Sequence, residues 1–254
     1  MSGVSDWWRT SIIDMEPGRI ALRGQPIQEL IGNVSFPEMI WLMLRTDRPT
    51  DGQARLFEAA LVSAVDHGPQ APSIATARMA VTCGLPLNNA MASAVNMLGD
   101  VHGGAGEQAV QMFHFLDSAE DPLPTALDAW RAAQGKIVPG FGHRFHTPVD
   151  PRAPRLMQLV ADAVESGNCS GRFADIAQKV ENELLSQKGK PVPMNIDGAT
   201  AVIYAELGFA PPLARGLFCL SRSVGILAHA WEQMQQGGRN KGPTPPQYRW
   251  TYDG

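Results

Sequence analysis

Cysteine is scarce in this 254-residue chain, and its apolar runs are too short to span a bilayer. The three cysteines, Cys83, Cys169 and Cys219, form no CxxC pair, which argues against a disulfide framework or a zinc cage and favours the cytoplasm. Charged residues make up only 18% and the net charge is −4, so we expect no general affinity for nucleic acid or anionic lipid. Asp6 and Arg9 interrupt the apolar region of any signal peptide, which predicts a soluble, unexported protein.

What the chain does contain is typical of a mainly α-helical globular protein. Hydrophobic residues make up 44%, and the length suits one large domain or two intimate ones. Two short β-capable runs around Glu16-Pro17-Gly18 predict a β-hairpin within residues 10–24. Ser35 is the expected N-cap of a helix that begins at Phe36-Pro37-Glu38. Helical spacing of apolar residues predicts further helices at 72–83, 88–99, 104–116, 124–134, 151–166, 172–187, 197–207 and 211–236.

The first candidate site is His102, which is followed by glycines in the segment LGDVHGGAGEQAV. It is either a capped loop with a solvent-facing histidine or part of an active site. In the second case the amides at a helix N-terminus would keep the imidazole a neutral hydrogen-bond donor, as an enolate requires.

The second candidate site is the loop Val138–Asp150, with the following residues Pro151 and Arg152. It holds His143, Arg144 and His146. A metal site at the two histidines lacks a third ligand nearby in sequence. We expect instead that Gly140 and Gly142 expose backbone amides and that Arg152 holds a carboxylate.

Two further residues have a structural and a functional interpretation each. Asp197 precedes an apolar helix, where it is either a simple N-cap or a reacting carboxylate. Arg222 lies among apolar residues of the last predicted helix, where it either extends to solvent or meets a buried anion.

Taken in order, the motifs resemble the citrate synthase superfamily. They are RIALRGQPIQELIGNVSFPEMIWLML, VDHG, TARM, LGDVHGG, VPGFGH, DPR, NIDG and FCLSR. The resemblance implies a mainly α citrate synthase-like fold with a truncated large helical domain (1–102 and 200–254), a small domain (103–199) and an N-terminal β-hairpin. It also implies a homodimer or larger homo-oligomer.

The resemblance implies the site residues as well. Asp197 would remove the α-proton of acetyl-CoA, His102 would hydrogen-bond the thioester oxygen, and His143 would polarise the oxo group or accept the hydroxyl proton in cleavage. The substrate contacts would be His67, Arg152, Phe218 and Arg222. Coenzyme A would contact Val138, Pro139, Gly140, Phe141 and Gly142, as a substrate thioester, with no tightly bound cofactor.

The short length of the chain and its segments NIDG and SRSVGILAHAWEQ are similar to those of citryl-CoA lyases, including the lyase module of ATP-citrate lyase. We therefore expect a carbon–carbon lyase that cleaves a citryl-CoA-type substrate to acetyl-CoA and oxaloacetate or a related 2-oxo acid. The alternatives are a citrate or 2-methylcitrate synthase and a non-catalytic CoA-binding subunit.

Two expectations concern assembly. The tail lacks the family's Arg-Pro-x-x-x-Tyr pattern, which leaves Arg249 as the candidate for an arginine lent to a neighbouring subunit. Residues 74–98 carry Arg78 as their only charge, so they form either a self-complementary subunit interface or a buried intrachain helix pair.

Overall fold

The computed structural model describes residues 7–143, 146 and 148–254. Arg144, one of the residues in the second candidate site, lies outside the described residues. By its internal contacts the chain divides into one unit of residues 1–58 and another of residues 59–254. Within the described part of the chain, no helix is long and apolar enough to cross a membrane.

The first unit contains the strands and the first helices. Their bounds are β1 Ile13–Glu16, β2 Arg19–Leu22, β3 Gln25–Pro26, α1 Ile27–Leu30 and α2 Phe36–Arg45, and α3 Asp51–Ser63 begins there. The second unit contains α4 Pro72–Thr82, α5 Leu87–Val95, α6 Ala105–Ser118, α7 Leu123–Gln134, α8 Arg152–Glu165, α9 Arg172–Lys188, α10 Ile196–Glu206 and α11 Pro211–Gln236. The fold is thus mainly α with a small N-terminal sheet, as the sequence predicts.

The hairpin of the first unit is antiparallel, with Ile13 opposite Leu22 and Glu16 opposite Arg19. Gly18 supplies the positive φ of the turn, which a residue with a Cβ rarely adopts. The short strand β3 extends the sheet in the order β1-β2-β3. This strand and α1 are missing from the sequence prediction because two to four residues are too few to show a period.

Helix α2 starts where the sequence predicts. The Ser35 hydroxyl accepts from the Glu38 amide, and the Glu38 carboxylate accepts from the Ser35 amide, which forms a capping box. These bonds lower the pKa of Glu38, chiefly through the side-chain hydrogen bond with Ser35. The cap therefore satisfies amide groups at the start of the helix that would otherwise have no partner.

Two helical groups build the second unit. Helices α4, α5 and α11 share a core of buried alanine and isoleucine residues, including Ile74, Ala90, Ala94 and Ile226. Helix α10 is buried along nearly its whole length and packs against α6, α8 and α9. Each fully buried Val or Ile there contributes about 1.5–3 kcal/mol of hydrophobic stabilisation. Buried α10 gives a rigid base for the residues at its N-terminus.

The segment 74–98 packs as an intrachain pair, since α4 and α5 lie against each other and against α11. Its single charge, Arg78, binds Glu232 and Gln236 of α11. The alternative of an intrachain helix pair therefore accounts for the buried face of this segment. A role of its outer face in subunit contact stays a prediction.

Candidate active site

His102 lies half-buried in the connection between α5 and α6. Its Nε2 accepts a hydrogen bond from the backbone N–H of Ser73 at 3.2 Å and lies 3.0 Å from the Ser73 hydroxyl. Because an amide can only donate, the neutral ring carries its proton on Nδ1. Burial, together with the positive charge of Arg222, lowers the pKa of His102. A neutral imidazole with a donor on Nδ1 is the result.

The amide that contacts His102 belongs to the first turn of α4. The sequence led us to expect an amide at a helix N-terminus beside His102, and the structure shows that the helix is α4. The connection itself is held by Arg215, which forms ion pairs with Asp100 at 2.6 Å and Glu107 at 2.5 Å. Gly103 has a φ of +97°, and a Cβ there would contact the Phe218 ring at 3.0 Å. The close approach of Phe218 therefore requires glycine.

The segment Val138–Gly142 is bound to the start of α10. The Gly140 carbonyl accepts from the Asn195 amide at 3.0 Å, and the Gly142 amide donates to the Pro193 carbonyl at 2.7 Å. The Asn195 side chain also donates to the Gly142 carbonyl. The expectation that Gly142 exposes its amide is therefore wrong, because the loop uses that donor to attach itself.

Three histidines meet beside this segment. The ring of His143 lies 5.4 Å from that of His67 and 4.5 Å from that of His146, between centroids. The His146 amide donates to Nδ1 of His143 at 2.9 Å, so the neutral His143 ring carries its proton on Nε2. Burial and neighbouring positive charge lower the pKa of both His67 and His143. Among the described residues no group of three His, Cys, Asp or Glu side chains is arranged to hold a metal ion.

Arg152 is oriented by Asp150, a residue that the sequence interpretation missed. The buried carboxylate of Asp150 accepts from Nε of Arg152 at 3.0 Å and from its terminal nitrogen at 2.8 Å. It also accepts from the Ile196 amide at 3.2 Å. Burial raises the pKa of Asp150, but the hydrogen bonds and charge of Arg152 outweigh burial and lower it. Asp150 thus joins the start of α8 to the start of α10.

Arg222 does not extend to solvent, since it is only 4% exposed. Its Nε donates to the Ala64 carbonyl at 3.1 Å, and its guanidinium lies 4.9 Å from the centre of the Phe218 ring. Its charge acts on His67, His102 and Asp197. Arg222 is therefore the buried cation around which the candidate residues gather.

Asp197 is the second residue of α10 and is not its N-cap. Asn195 caps the helix, because its side-chain oxygen accepts from the amides of Asp197 and Gly198. Burial raises the pKa of the Asp197 carboxyl, although Arg222 and Arg152 oppose the shift. A carboxylate with a raised pKa is a stronger base than an exposed aspartate.

A family model described as citrate synthase, C-terminal domain, matches residues 43–244. The chain belongs to the citrate synthase family. The resemblance inferred from its motifs is thereby confirmed, whereas the individual roles of the site residues stay predictions.

Two solved structures extend the comparison. The chain is 33% identical to citryl-CoA lyase from Hydrogenobacter thermophilus, with a TM-score of 0.88, over 98% of this chain and 95% of that one. It is 20% identical to ATP citrate lyase from Methanosaeta concilii, solved in complex with (3S)-citryl-CoA. That match has a TM-score of 0.83 over 98% of this chain and 42% of the other, and shows the fold alone.

Curated sequence relatives include citrate synthases. The one from Saccharolobus solfataricus is 29% identical over 210 residues, which cover 81% of this chain and 54% of that protein. This chain spans about half the length of the curated citrate synthases that it matches.

Proposed function

We propose that the chain is a citryl-CoA lyase that cleaves citryl-CoA, or a closely related 3-hydroxy-3-carboxyacyl-CoA, to acetyl-CoA and oxaloacetate or a related 2-oxo acid. The observation that carries this proposal is the 33% identity over 95% of the length of a citryl-CoA lyase. The chain corresponds to only about half of a citrate synthase. Synthesis of citrate with hydrolysis is the second candidate, supported by the curated sequence relatives.

The substrate carboxylates would bind at the cationic end of the site. Arg152 and Arg222 offer forked donors that match carboxylate oxygens, and His67 adds a further donor beside His143. Asp150 holds the Arg152 side chain in one orientation. The arginines therefore meet the substrate without first losing much conformational freedom.

Proton transfer at the acetyl carbon would use Asp197. In the condensation direction it removes a methyl proton while Nδ1–H of His102 donates to the thioester oxygen, where negative charge develops. In the cleavage direction Asp197 returns that proton to the enol carbon. The raised pKa of Asp197 and the lowered pKa of His102 match these two roles.

His143 would act on the oxygen of the oxo acid. With Nδ1 occupied by the His146 amide, Nε2–H would donate a hydrogen bond to the substrate oxygen and stabilise the negative charge on it. In cleavage the hydroxyl proton would leave this oxygen to water as the carbon–carbon bond breaks, and in condensation water would return it. The sequence interpretation also allowed His143 to accept the hydroxyl proton, which would need an unprotonated Nε2. The contact with His146 favours the donor role.

The segment Val138–Gly142 would hold part of coenzyme A. Its attachment to Pro193 and Asn195 couples the position of the thioester to the start of α10, which carries Asp197. Gly142 would then contribute its backbone shape and not its amide. A cytoplasmic location and the division into a large domain (1–102 and 200–254) and a small domain (103–199) stay predictions.

Synthetic citryl-CoA tests the reaction. We expect acetyl-CoA and oxaloacetate in equal amounts, with oxaloacetate measured through malate dehydrogenase and no free thiol detected by a disulfide dye. Free CoA and citrate instead would establish the synthase alternative. Tight CoA binding without turnover would favour the non-catalytic subunit.

We also propose self-association, which rests on an exposed stripe of α11. Leu220, Val224, Leu227, Trp231 and Met234 are each 41–59% exposed and recur at alternating steps of four and three residues, as in a helix–helix seam. A second copy offers the same stripe, so a two-fold axis would bury both together. Arg249 stays the candidate for a residue shared with the neighbouring subunit.

Light scattering tests this assembly. We expect the wild type to exceed the 27.4 kDa of one chain, Trp231→Glu to shift toward the monomer, and the matched control Gln235→Glu to behave as wild type. A fully active wild type with the mass of a single chain would refute the proposal.

A further inference from the structure

The turn that carries His67 is attached to α11 at successive positions. Carbonyl oxygens of the last turn of α3 and of this turn accept hydrogen bonds from α11 in three pairs, namely Leu61 with Ser221, Ala64 with Arg222 and Val65 with the Gly225 amide. A Cβ on Gly225 would collide with the Val65 carbonyl, so the close approach depends on glycine. Beyond these contacts, His229 of the same helix reaches the Asp66 side chain.

The tautomer of His229 is set by Arg78. A terminal nitrogen of Arg78 lies 2.9 Å from Nδ1 of His229, and a guanidinium can only donate. Nδ1 is therefore an acceptor and the neutral ring carries its proton on Nε2. Nε2 lies 3.2 Å from Oδ1 of Asp66, so His229 donates to this carboxylate. The same Arg78 is held by Glu232 at 2.5 Å and by Gln236 at 2.8 Å.

Asp66 is fixed on both of its oxygens. Oδ1 accepts from His229 and Oδ2 accepts from the Gly68 amide at 3.0 Å. His67 lies between Asp66 and Gly68 in the chain, so both of its neighbours are held while its own ring faces His143. His229 is mostly buried, with 18% of its side chain exposed, and among the described residues its polar contacts are with Arg78, Asp66 and Glu232.

We propose that His229, with its tautomer set by Arg78, is a positioning residue that holds His67 in the carboxylate-binding part of the site. This inference rests on the proposed function, since it concerns the substrate contact of His67. A contact made equally to bound substrate and transition state changes KM and leaves kcat almost unchanged. Loss of a hydrogen bond to a charged group, with the displacement that follows, corresponds to about 10–100-fold in affinity.

The test compares His229→Leu with His229→Gln, because a glutamine side chain carries one acceptor for Arg78 and one donor for Asp66. Gln235→Ala, an exposed change on the same helix, is the matched control. With citryl-CoA we expect His229→Leu to raise KM about 10–100-fold with kcat near wild type. Calorimetry should show an equal loss of affinity for oxaloacetate and an unchanged affinity for CoA. His229→Gln should restore most of the lost affinity.

Two results with the His229 variants would contradict the positioning role. A folded His229→Leu protein that binds oxaloacetate like wild type would overturn the inference, and so would a His229→Gln protein as defective as His229→Leu. If His229→Leu does not fold, Asp66→Asn replaces it, since an amide cannot accept from both His229 and Gly68 on its two terminal atoms. Unchanged oxaloacetate binding in that variant would equally overturn it.

Failure of the proposed function would look different. In that case the wild type itself would not bind oxaloacetate, and imidazole NMR of the unliganded protein would decide the inference. We expect His229 in the Nε2–H form and a displaced His67 resonance in the leucine variant alone. An unperturbed His67 resonance would overturn the positioning role.

Discussion

Replacement of Asp150 by asparagine is the perturbation for which the structure gives the clearest expectation. The carboxylate is fully buried and accepts hydrogen bonds from Arg152 and from the Ile196 amide. Asparagine keeps the size of the side chain but exchanges one acceptor for a donor. The new side-chain NH₂ group must face either the Arg152 guanidinium or the Ile196 amide, which are both donors. At least one of those two groups therefore loses its hydrogen-bond acceptor.

Breaking a buried ion pair by removing one charge costs about 3–5 kcal/mol. Arg152 keeps 23% of its side chain exposed, so water can solvate the unpaired guanidinium and reduce this cost. We therefore expect the free energy of unfolding to fall by about 2–3 kcal/mol. For a chain of this size each kcal/mol corresponds to about 2–4 °C, so the Tm should fall by roughly 4–12 °C. The kcat/KM for citryl-CoA should also fall, because Arg152 and the start of α10 lose a shared anchor.

The pH dependence of this loss has a definite sign. Since the pKa of Asp150 is lowered in the folded state, its ionisation stabilises the fold above the unfolded pKa of about 3.9. This stabilisation disappears as pH falls through the lower folded pKa. The difference in Tm between wild type and Asp150→Asn should therefore be largest near neutral pH and shrink below about pH 4.

Thermal melts followed by circular dichroism across this pH range are the assay. Asp162→Asn, an exposed change on α8, the helix that follows Asp150, is the control and should melt within about 1 °C of wild type, because exposed charges contribute little. If Asp150→Asn melts like the control at pH 7, the carboxylate is not the anchor that its contacts indicate.

Three further predictions concern the reaction and its supports. Asp197→Asn should reduce deuterium uptake into the acetyl methyl group about 10²–10⁴-fold, because an amide cannot act as the base. The same change should raise the Tm, because burial disfavours the ionised carboxylate. Exchange at half the wild-type rate would show that Asp197 is not the base. In the wild type this exchange should fall as the pH is lowered and Asp197 takes a proton, because the pKa of Asp197 is raised by burial. His102 stays neutral above its ordinary pKa of 6.5, because its own pKa is lowered. A rate that rises on acidification would contradict this. Gly198→Ala should weaken CoA binding in calorimetry, because its Cβ would collide with the Gly140 carbonyl and with Met194 and displace the segment Val138–Gly142. Unchanged affinity would show that CoA binding does not depend on this contact.

The helices of this fold could be predicted because their signals are local. The predicted helix over 211–236 matches α11 at both ends, and Ser35 and Pro37 marked the start of α2. Each of these signals depends on neighbours within one or two helical turns. Short elements such as β3 and α1 carry too few residues for a period, and they were missed for that reason.

The candidate site was predicted less completely. The sequence interpretation named His102, His143 and Asp197, but it did not identify the helix that supplies the amide partner of His102, and it missed Asp150. A useful signal was present, since Asp150 precedes Pro151 at the start of a predicted helix, a position typical of a cap. A cap assignment alone, however, says nothing of the Ile196 amide, which lies 46 residues further along the chain.

The contacts that prepare the site are therefore harder to infer than the groups that would perform the chemistry. Arg78 and His229 are 151 residues apart, and each alone is an ordinary polar residue on an amphipathic helix. Their contact gives His229 a defined donor, which in turn fixes Asp66 next to His67. A chain with an apolar residue in place of Arg78 would leave Nδ1 of His229 free to take the proton. In that tautomer Nε2 could no longer donate to Asp66, so Arg78 of the TARM motif supports the carboxylate site without contacting it.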